Sequence, residues 1–161
     1  MIPKIFHFIF GLKQQTNEFH YSDPGLCNGG YASVLNKGVG VTGHSLPLDV
    51  YMVNIIDFIE KYHPNDVNNI SFIKIDAEGH DKEILPTLKK IIDINKPIIQ
   101  TEIYDGLTPN ETDQLINVIN NLGYKAYDMD TCNNDIDNLQ DEIKSHKDIR
   151  PNSGHNLICL P

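Results

Sequence analysis

Between residues 70 and 130 the chain alternates short β-branched apolar runs with amphipathic stretches, and this alternation limits the fold more than any other feature. The runs "ISFIKID" (70–76) and "PIIQTEI" (97–103) are nearly continuous apolar segments, as expected of strands covered on both faces. "YKAYDMD" (124–130) reads as a third strand. From Asp81 to Asn95, the residues Ile84, Leu85, Leu88, Ile91 and Ile92 mark a helix, with Pro86 in its first turns marking the start or a small distortion. "TPNETDQLINVINNLGY" (108–124) is a second helix: Thr108 caps it, Pro109 occupies its first turn and Gly123 stops it. Strand, helix, strand, helix, strand in units of about 25–30 residues implies right-handed crossovers and a parallel sheet.

The flanks are less regular. In "LPLDVYMVNIIDFIEKY" (46–62), Val50, Val53, Ile55, Ile56 and Ile59 follow helical spacing behind Asp49 as N-cap. "NNDIDNLQDEIKSH" (133–146) is polar and weakly helical, and "HNLICLP" (155–161) reads as a terminal strand. In the first 45 residues, "KIFHFIF" and "EFHYS" look like strands, "DPGLCNGGYAS" like a glycine-rich loop, and "GVGVTG" like a short strand or turn. The apolar opening "MIPKIFHFIFG" is broken by His7, is too short to span a bilayer and lacks a small-residue cleavage site, so it is expected to be a buried strand. The 161 residues, with no internal repeat or linker, are expected to form a single domain.

A formal charge of −9 with no Lys/Arg cluster argues against a nucleic-acid partner. The three cysteines, Cys27, Cys132 and Cys159, are odd in number and widely spaced. They form neither a disulfide framework nor a metal pattern, which points to a reducing, cytoplasmic setting.

Ligands of open α/β sheets bind outside the carboxyl ends of the strands. Asp76 and Glu102 fall at the ends of two strands expected to be neighbours, and Asp128 and Asp130 end the next. Solvated loop acids and helix caps are the plain alternative. His80, four residues past Asp76 at the entrance to a helix, is placed either to act as a base or hydroxyl ligand, or to stand exposed in a first turn. Asp76, Glu78, His80 and Glu102 are also oxygen and nitrogen donors for a divalent cation, but their spacing does not demand one, and no metal is expected. The other histidines, His146 among them, show no ligand spacing and read as structural or surface residues. "GLCNGGYAS" reads as a substrate-facing loop, not a cofactor turn, because no clean buried strand precedes it.

"ISFIKIDAEGHDKEIL" resembles the strand-four signature of the FkbM methyltransferases, F-I-K-I-D-V-E-G-x-E-x-x-V-L. "KPIIQTEIYD" resembles that family's next strand, which ends in an acid. "FHYSDPGLCNGGYASV" resembles its upstream segment, and "HNLICLP" its closing strand, so the resemblance covers roughly residues 17–161. It implies a class I methyltransferase fold: a Rossmann-like, three-layer α/β sandwich whose mostly parallel sheet has an antiparallel last strand. It also implies methyl transfer from S-adenosylmethionine to a hydroxyl of a sugar or other small-molecule acceptor. Carried over, Asp76 and Glu78 lie beside the acceptor, with Glu102 across from them, His80 nearby, and Asn28 and Ser33 on the substrate side.

In such enzymes a strand, a glycine turn and a helix cradle the methionine end of the cofactor, and this parse would put them before residue 17. The expectation is therefore a truncated domain with no evident cofactor motif, catalytically weak or dependent on a partner. The first sixteen residues are atypical, because "IPKIFHFIFGLKQQ" resembles the opening strand of glycosyltransferases that begin I-P-K-I-I-H-x-I-W-G. Two alternatives remain open at this level. One is a non-catalytic binding or assembly module that pairs with a second copy through an exposed sheet edge; the other is a glycosyltransferase fragment.

Overall fold

The computed structural model describes residues 9–10, 15–21, 30–32, 47–77, 79–129, 138–139, 141–150 and 156–161. The chain divides into two compact units, Met1–Phe58 and Ile59–Pro161.

In the first unit, β1 (Ile9–Phe10), β2 (Gln15–Tyr21), β3 (Gly30–Ala32) and β4 (Pro47–Val53) form a sheet in the order β1-β4-β2-β3. β1 runs parallel to β4, while β2 is antiparallel to both β3 and β4. Of "KIFHFIF", only Ile9 and Phe10 are described, and they are strand; "EFHYS" falls largely in β2. Residues 38–43 lie outside the described residues, as does the glycine-rich loop up to residue 29.

The helix expected from residue 46 begins only at Ile55. Pro47–Val53 is a strand instead, paired with β2 from His20↔Pro47 to Gln15↔Met52. Val50, Tyr51 and Val53 are β-formers, Pro47 sits at the first strand position where no ladder donor is needed, and a paired neighbour overrides the helical spacing. The N-cap of α1 (Ile55–Tyr62) is therefore Asn54 and not Asp49. Its Oδ1 accepts the backbone N–H of Ile56 at 2.9 Å and of Asp57 at 3.3 Å.

The second unit is built from β5 (Phe72–Lys74), α2 (Asp81–Thr87), α3 (Lys89–Asn95), β6 (Ile98–Glu102), α4 (Pro109–Asn121), β7 (Lys125–Asp128), β8 (Glu142–Ile143) and β9 (Asn156–Leu160). The sheet order is β5-β6-β9-β7-β8. β5 and β6 are parallel. β6 and β7 both oppose β9, so β5, β6 and β7 point the same way, as the strand–helix alternation requires. The expectation of a mostly parallel sheet needs correction in its pairings, however. β9 is inserted between β6 and β7 and β8 turns back on β7, so β5–β6 is the one parallel pair among the described strands of this sheet. The central place of β9 explains its sequence. Leu157, Ile158 and Cys159 are all buried, which needs cover on both faces. Burial pushes the Cys159 thiol up to about 12, so it packs as a small apolar group.

β5 was expected to be covered on both faces and is not. Phe72 is 50% exposed, and only Ile75, just past the strand, is buried. β5 is one of the two edge strands of this sheet as described, held by β6 and extended by hydrogen bonds from Ile98 N–H to Ser71 O (3.0 Å) and from Ile75 N–H to Gln100 O (2.8 Å).

The single helix expected over 81–95 is two. Pro86 has no N–H to give the preceding turn, and two residues later the Leu88 N–H turns to Leu85 O at 3.1 Å. The break leaves the apolar stripe intact: Leu85, Leu88, Ile91 and Ile92 are all buried. Asn95 ties the end of α3 to the segment before β5, accepting from Ile70 N–H at 3.2 Å and donating to Val67 O at 2.8 Å. α4 follows its sequence closely. Thr108 and Glu111 form a capping box, and at the far end Gly123 (φ 82°) and Tyr124 donate to Asn120 O and Ile119 O, closing a Schellman turn. Leu115, Ile116 and Ile119 bury the inner face, and α4 packs against α2 and β7. The weakly helical reading of 133–146 is replaced, where described, by β8 paired with β7 (Ala126↔Ile143), followed by a 3-10 turn, His146–Asp148, capped by Ser145.

Thr108→Ala removes one half of the capping box and should cost about 1 kcal/mol. Thermal unfolding should shift down by a few degrees with secondary structure unchanged at room temperature. An unchanged midpoint would mean that α4 does not depend on its cap.

Candidate functional site

The parallel register Phe72↔Ile98, Ile73↔Ile99, Lys74↔Gln100 runs on through the Ile75 bond, which brings Asp76 alongside Glu102 at the carboxyl ends of the two strands. Asp76 is exposed, with its Oδ2 3.1 Å from Lys74 Nζ. Glu102 is half-buried and pairs with Asn156 of β9.

A third acid, which the sequence reading took only as a helix start, joins these two strand ends. Asp81 is 1% exposed. Its Oδ1 accepts the Thr101 hydroxyl at 2.6 Å and the Glu102 N–H at 3.3 Å, and its Oδ2 accepts the Ala77 N–H at 3.3 Å. A carboxylate taken out of water is tolerable only with such donors, and here they come from both segments that end at the candidate site. The signal was present in the spacing. Asp81, Leu85, Leu88 and Ile92 are separated by four, three and four residues, which puts an acid on the buried stripe of α2 and α3.

The loop between Asp76 and α2 is equally constrained. Gly79 is buried at φ +93°, where an added Cβ would lie 3.1 Å from Leu107 Cδ2 and 3.3 Å from Tyr104 Cδ1. Its carbonyl accepts the Lys82 ammonium at 3.2 Å. His80 follows at the N-cap position, but its side chain makes no cap bond. It is 54% exposed, with Nδ1 3.9 Å from Glu83 Oε2, while its carbonyl receives Glu83 and Ile84 N–H. Glu78, Asn28, Ser33 and Asp130 lie outside the described residues. Asp128 is buried, and its Oδ2 accepts from Arg150 Nε (3.1 Å) and Nη2 (3.0 Å), pinning the 141–150 segment to β7. Among the described residues no group of three or more His, Cys, Asp or Glu converges as a cation would require. No described helix is long and apolar enough to cross a membrane.

Just beyond Glu102 an open hollow of about 240 Å³ is lined by Tyr104, Asp105, Leu107, Thr112, His146 and Arg150, among others. Drug-sized ligands usually occupy about 300–1,000 Å³, so this hollow suits one small ring or group. Tyr104 is 39% exposed, and its ring packs so closely on Gly106 that a Cβ there would lie 2.4 Å from its Cε1. His146, which also lines the hollow, is held by Asp113 of α4, whose Oδ1 accepts the His146 backbone N–H at 2.7 Å and whose Oδ2 lies 2.8 Å from Nδ1. Neither residue was singled out by its spacing, because they are 33 positions apart.

The backbone and then the ring N–H of His146 hold the Asp113 carboxyl below its ordinary 3.8. The Thr108 N–H does the same for Glu111, ordinarily 4.5, and the Lys144 N–H for Asp148, ordinarily 3.8. Their folded values lie below their unfolded ones. The stability they contribute is therefore complete above the unfolded values and is lost as pH falls through the folded ones. The denaturant midpoint should hold steady down to about pH 5 and decline below it, and Asp113→Asn should remove part of that decline. An acid limb identical in the variant would show that the Asp113 bond does not form. Gly79→Ala, strained by its φ and by the two contacts, should destabilise by roughly 1 kcal/mol or more. The tyrosine near-ultraviolet signal should change with it, whereas a silent substitution would show that Gly79 is not packed against Tyr104 and Leu107.

The family described as Methyltransferase FkbM domain matches residues 6–126. The match takes in β1 to α4 and the start of β7, including Asp76, Asp81, Glu102 and Asp113, and it extends back through the segment whose opening resembles a glycosyltransferase. His146, Arg150 and β9 lie outside it. Comparison with curated proteins and with solved structures found no match.

Proposed function

Because the chain belongs to the FkbM methyltransferase domain family, we propose that it transfers a methyl group from S-adenosylmethionine to a hydroxyl of a sugar or other small-molecule acceptor. The observation that carries this reading is the pair of acids, Asp76 and Glu102, at the carboxyl ends of adjacent parallel strands within the matched span. The fold we infer for the whole is the Rossmann-like, class I arrangement. Three strands pointing one way, with a last strand inserted antiparallel between two of them, support it.

The described residues fit one side of such a site. Asp76, beside Lys74, accepts a hydrogen bond from the acceptor hydroxyl, fixes the direction of its lone pairs and takes its proton as the O–methyl bond forms and the methyl–sulfur bond breaks. Glu102 holds a neighbouring polar group of the same molecule. His80, exposed at the start of α2, contacts the acceptor from the solvent side. Orientation of this kind is worth several powers of ten when the reacting atoms are held close. The cofactor itself supplies an electrophilic methyl group. Among the described residues no glycine turn joins a strand to a helix ahead of β5, and the residues named above are assigned to the acceptor.

The test pairs calorimetry with S-adenosylmethionine and a methyl-transfer assay over a panel of hydroxyl acceptors. Transfer by the wild-type chain is expected, and Asp76→Asn should lower turnover by roughly a hundredfold while leaving the melting temperature and cofactor heat unchanged. No heat and no transfer would overturn the reading in favour of a binding module. A variant that loses folding and turnover together would make Asp76 structural.

A further inference from the structure

Resting on the methyl-transfer reading, we infer that the hollow beyond β6 is the seat of the acceptor, a neutral ring bearing hydroxyls, with Tyr104 against its face and His146 Nε2 accepting a hydrogen bond from one hydroxyl.

Three observations combine. The first is the tautomer. Asp113 accepts from the backbone N–H of His146 and sits 2.8 Å from its Nδ1. A carboxylate can only accept, so Nδ1 carries the hydrogen, and in the neutral imidazole Nε2 is then an acceptor on a side chain that lines the hollow. A histidine whose other nitrogen is fixed in this way is a directional hydroxyl receptor.

The second is the aromatic wall. Tyr104 is more than one-third exposed, and its ring borders the hollow while packing against Gly106 and Gly79. Gly79 belongs to the loop that starts at Asp76, so that loop packs against two residues that line the hollow, Tyr104 and Leu107.

The third is the balance of the lining. Ile103, Leu107 and Ile149 are apolar, while the charges present are of both signs: Asp105 and Arg150, the latter bonded to Asp128. A strongly charged ligand gains little there. A ring with one apolar face and a hydroxyl edge, as in a hexopyranose, matches both the aromatic wall and the imidazole.

Replacing His146 by asparagine separates binding from folding. The Asn amide stands where Nδ1–H was and can still donate to Asp113, but it has no counterpart of Nε2. The experiment titrates the full chain, with nitrogen-labelled histidine, with a panel of methyl hexopyranosides, following the His146 ring nitrogens and the Tyr104 ring protons by NMR. The free protein should show His146 as the Nδ1–H tautomer at neutral pH. At least one glycoside should move Nε2 and Tyr104 together, and His146→Asn should weaken that binding roughly tenfold with an unchanged melting temperature. Tyr104→Leu should weaken it as well. An Nε2–H tautomer would overturn the inference, as would glycosides that leave both residues unmoved or a His146→Asn variant that binds as the wild type does. Saturable glycoside binding without methyl transfer would leave this seat standing and remove the transferase reading. Methyl transfer to an acceptor that moves neither residue would do the reverse.

Discussion

The carboxylate of Asp81 is the contact on which the site depends. It lies almost wholly out of water and is satisfied by Ala77 on one side and by Thr101 and Glu102 on the other. Those partners are the loop that follows β5 and the last two residues of β6. A single side chain at the start of α2 therefore sets the spacing of the two strand ends whose acids, Asp76 and Glu102, define the proposed reaction edge. A buried acceptor left without donors is costly, so the loop and the strand cannot drift apart without leaving this carboxyl group unsatisfied.

From this fixed edge the rest of the site follows by packing. The loop leaving Asp76 turns through Gly79, whose positive φ and lack of a side chain let Tyr104 and Leu107 close against it, with Lys82 holding the glycine carbonyl. Tyr104 lines the hollow, and further lining comes from a distant part of the chain: His146, held by Asp113 of α4, and Arg150, anchored on Asp128. The capped and firmly terminated α4 serves as the frame on which that late segment is hung. The hollow is thus assembled from the matched span and from residues beyond it, which is one reason that family membership alone does not specify an acceptor.

Much of the second unit could be read directly. The β-branched runs at 72–74 and 98–102, the cap and stop of α4, and the closing strand at 156–160 all lie where local chemistry puts them. Where the reading failed, a long-range partner had overridden a local pattern. Pro47–Val53 carries helical spacing but pairs with β2; Glu142–Ile143 sits in a polar segment but pairs with β7; and α2 and α3 separate near a proline that local spacing alone would have absorbed. Asp81 illustrates the same point for the site. Its place on the apolar stripe was visible, but the hydroxyl and amide that make its burial tolerable lie twenty residues away.

By itself, the sequence determined the direction of the three βα strands and the placing of acids at their carboxyl ends, because strand and helix periods and the handedness of crossovers are properties of the local chain. It also carried the family resemblance, in the residues around Asp76. Only the tertiary structure decided that the last strand enters the middle of the sheet, that Asp81 joins the two strand ends, and that His146 meets Asp113 across 33 residues. These outcomes depend on which buried surfaces and hydrogen-bonding groups find one another in space, and no window along the chain contains both partners.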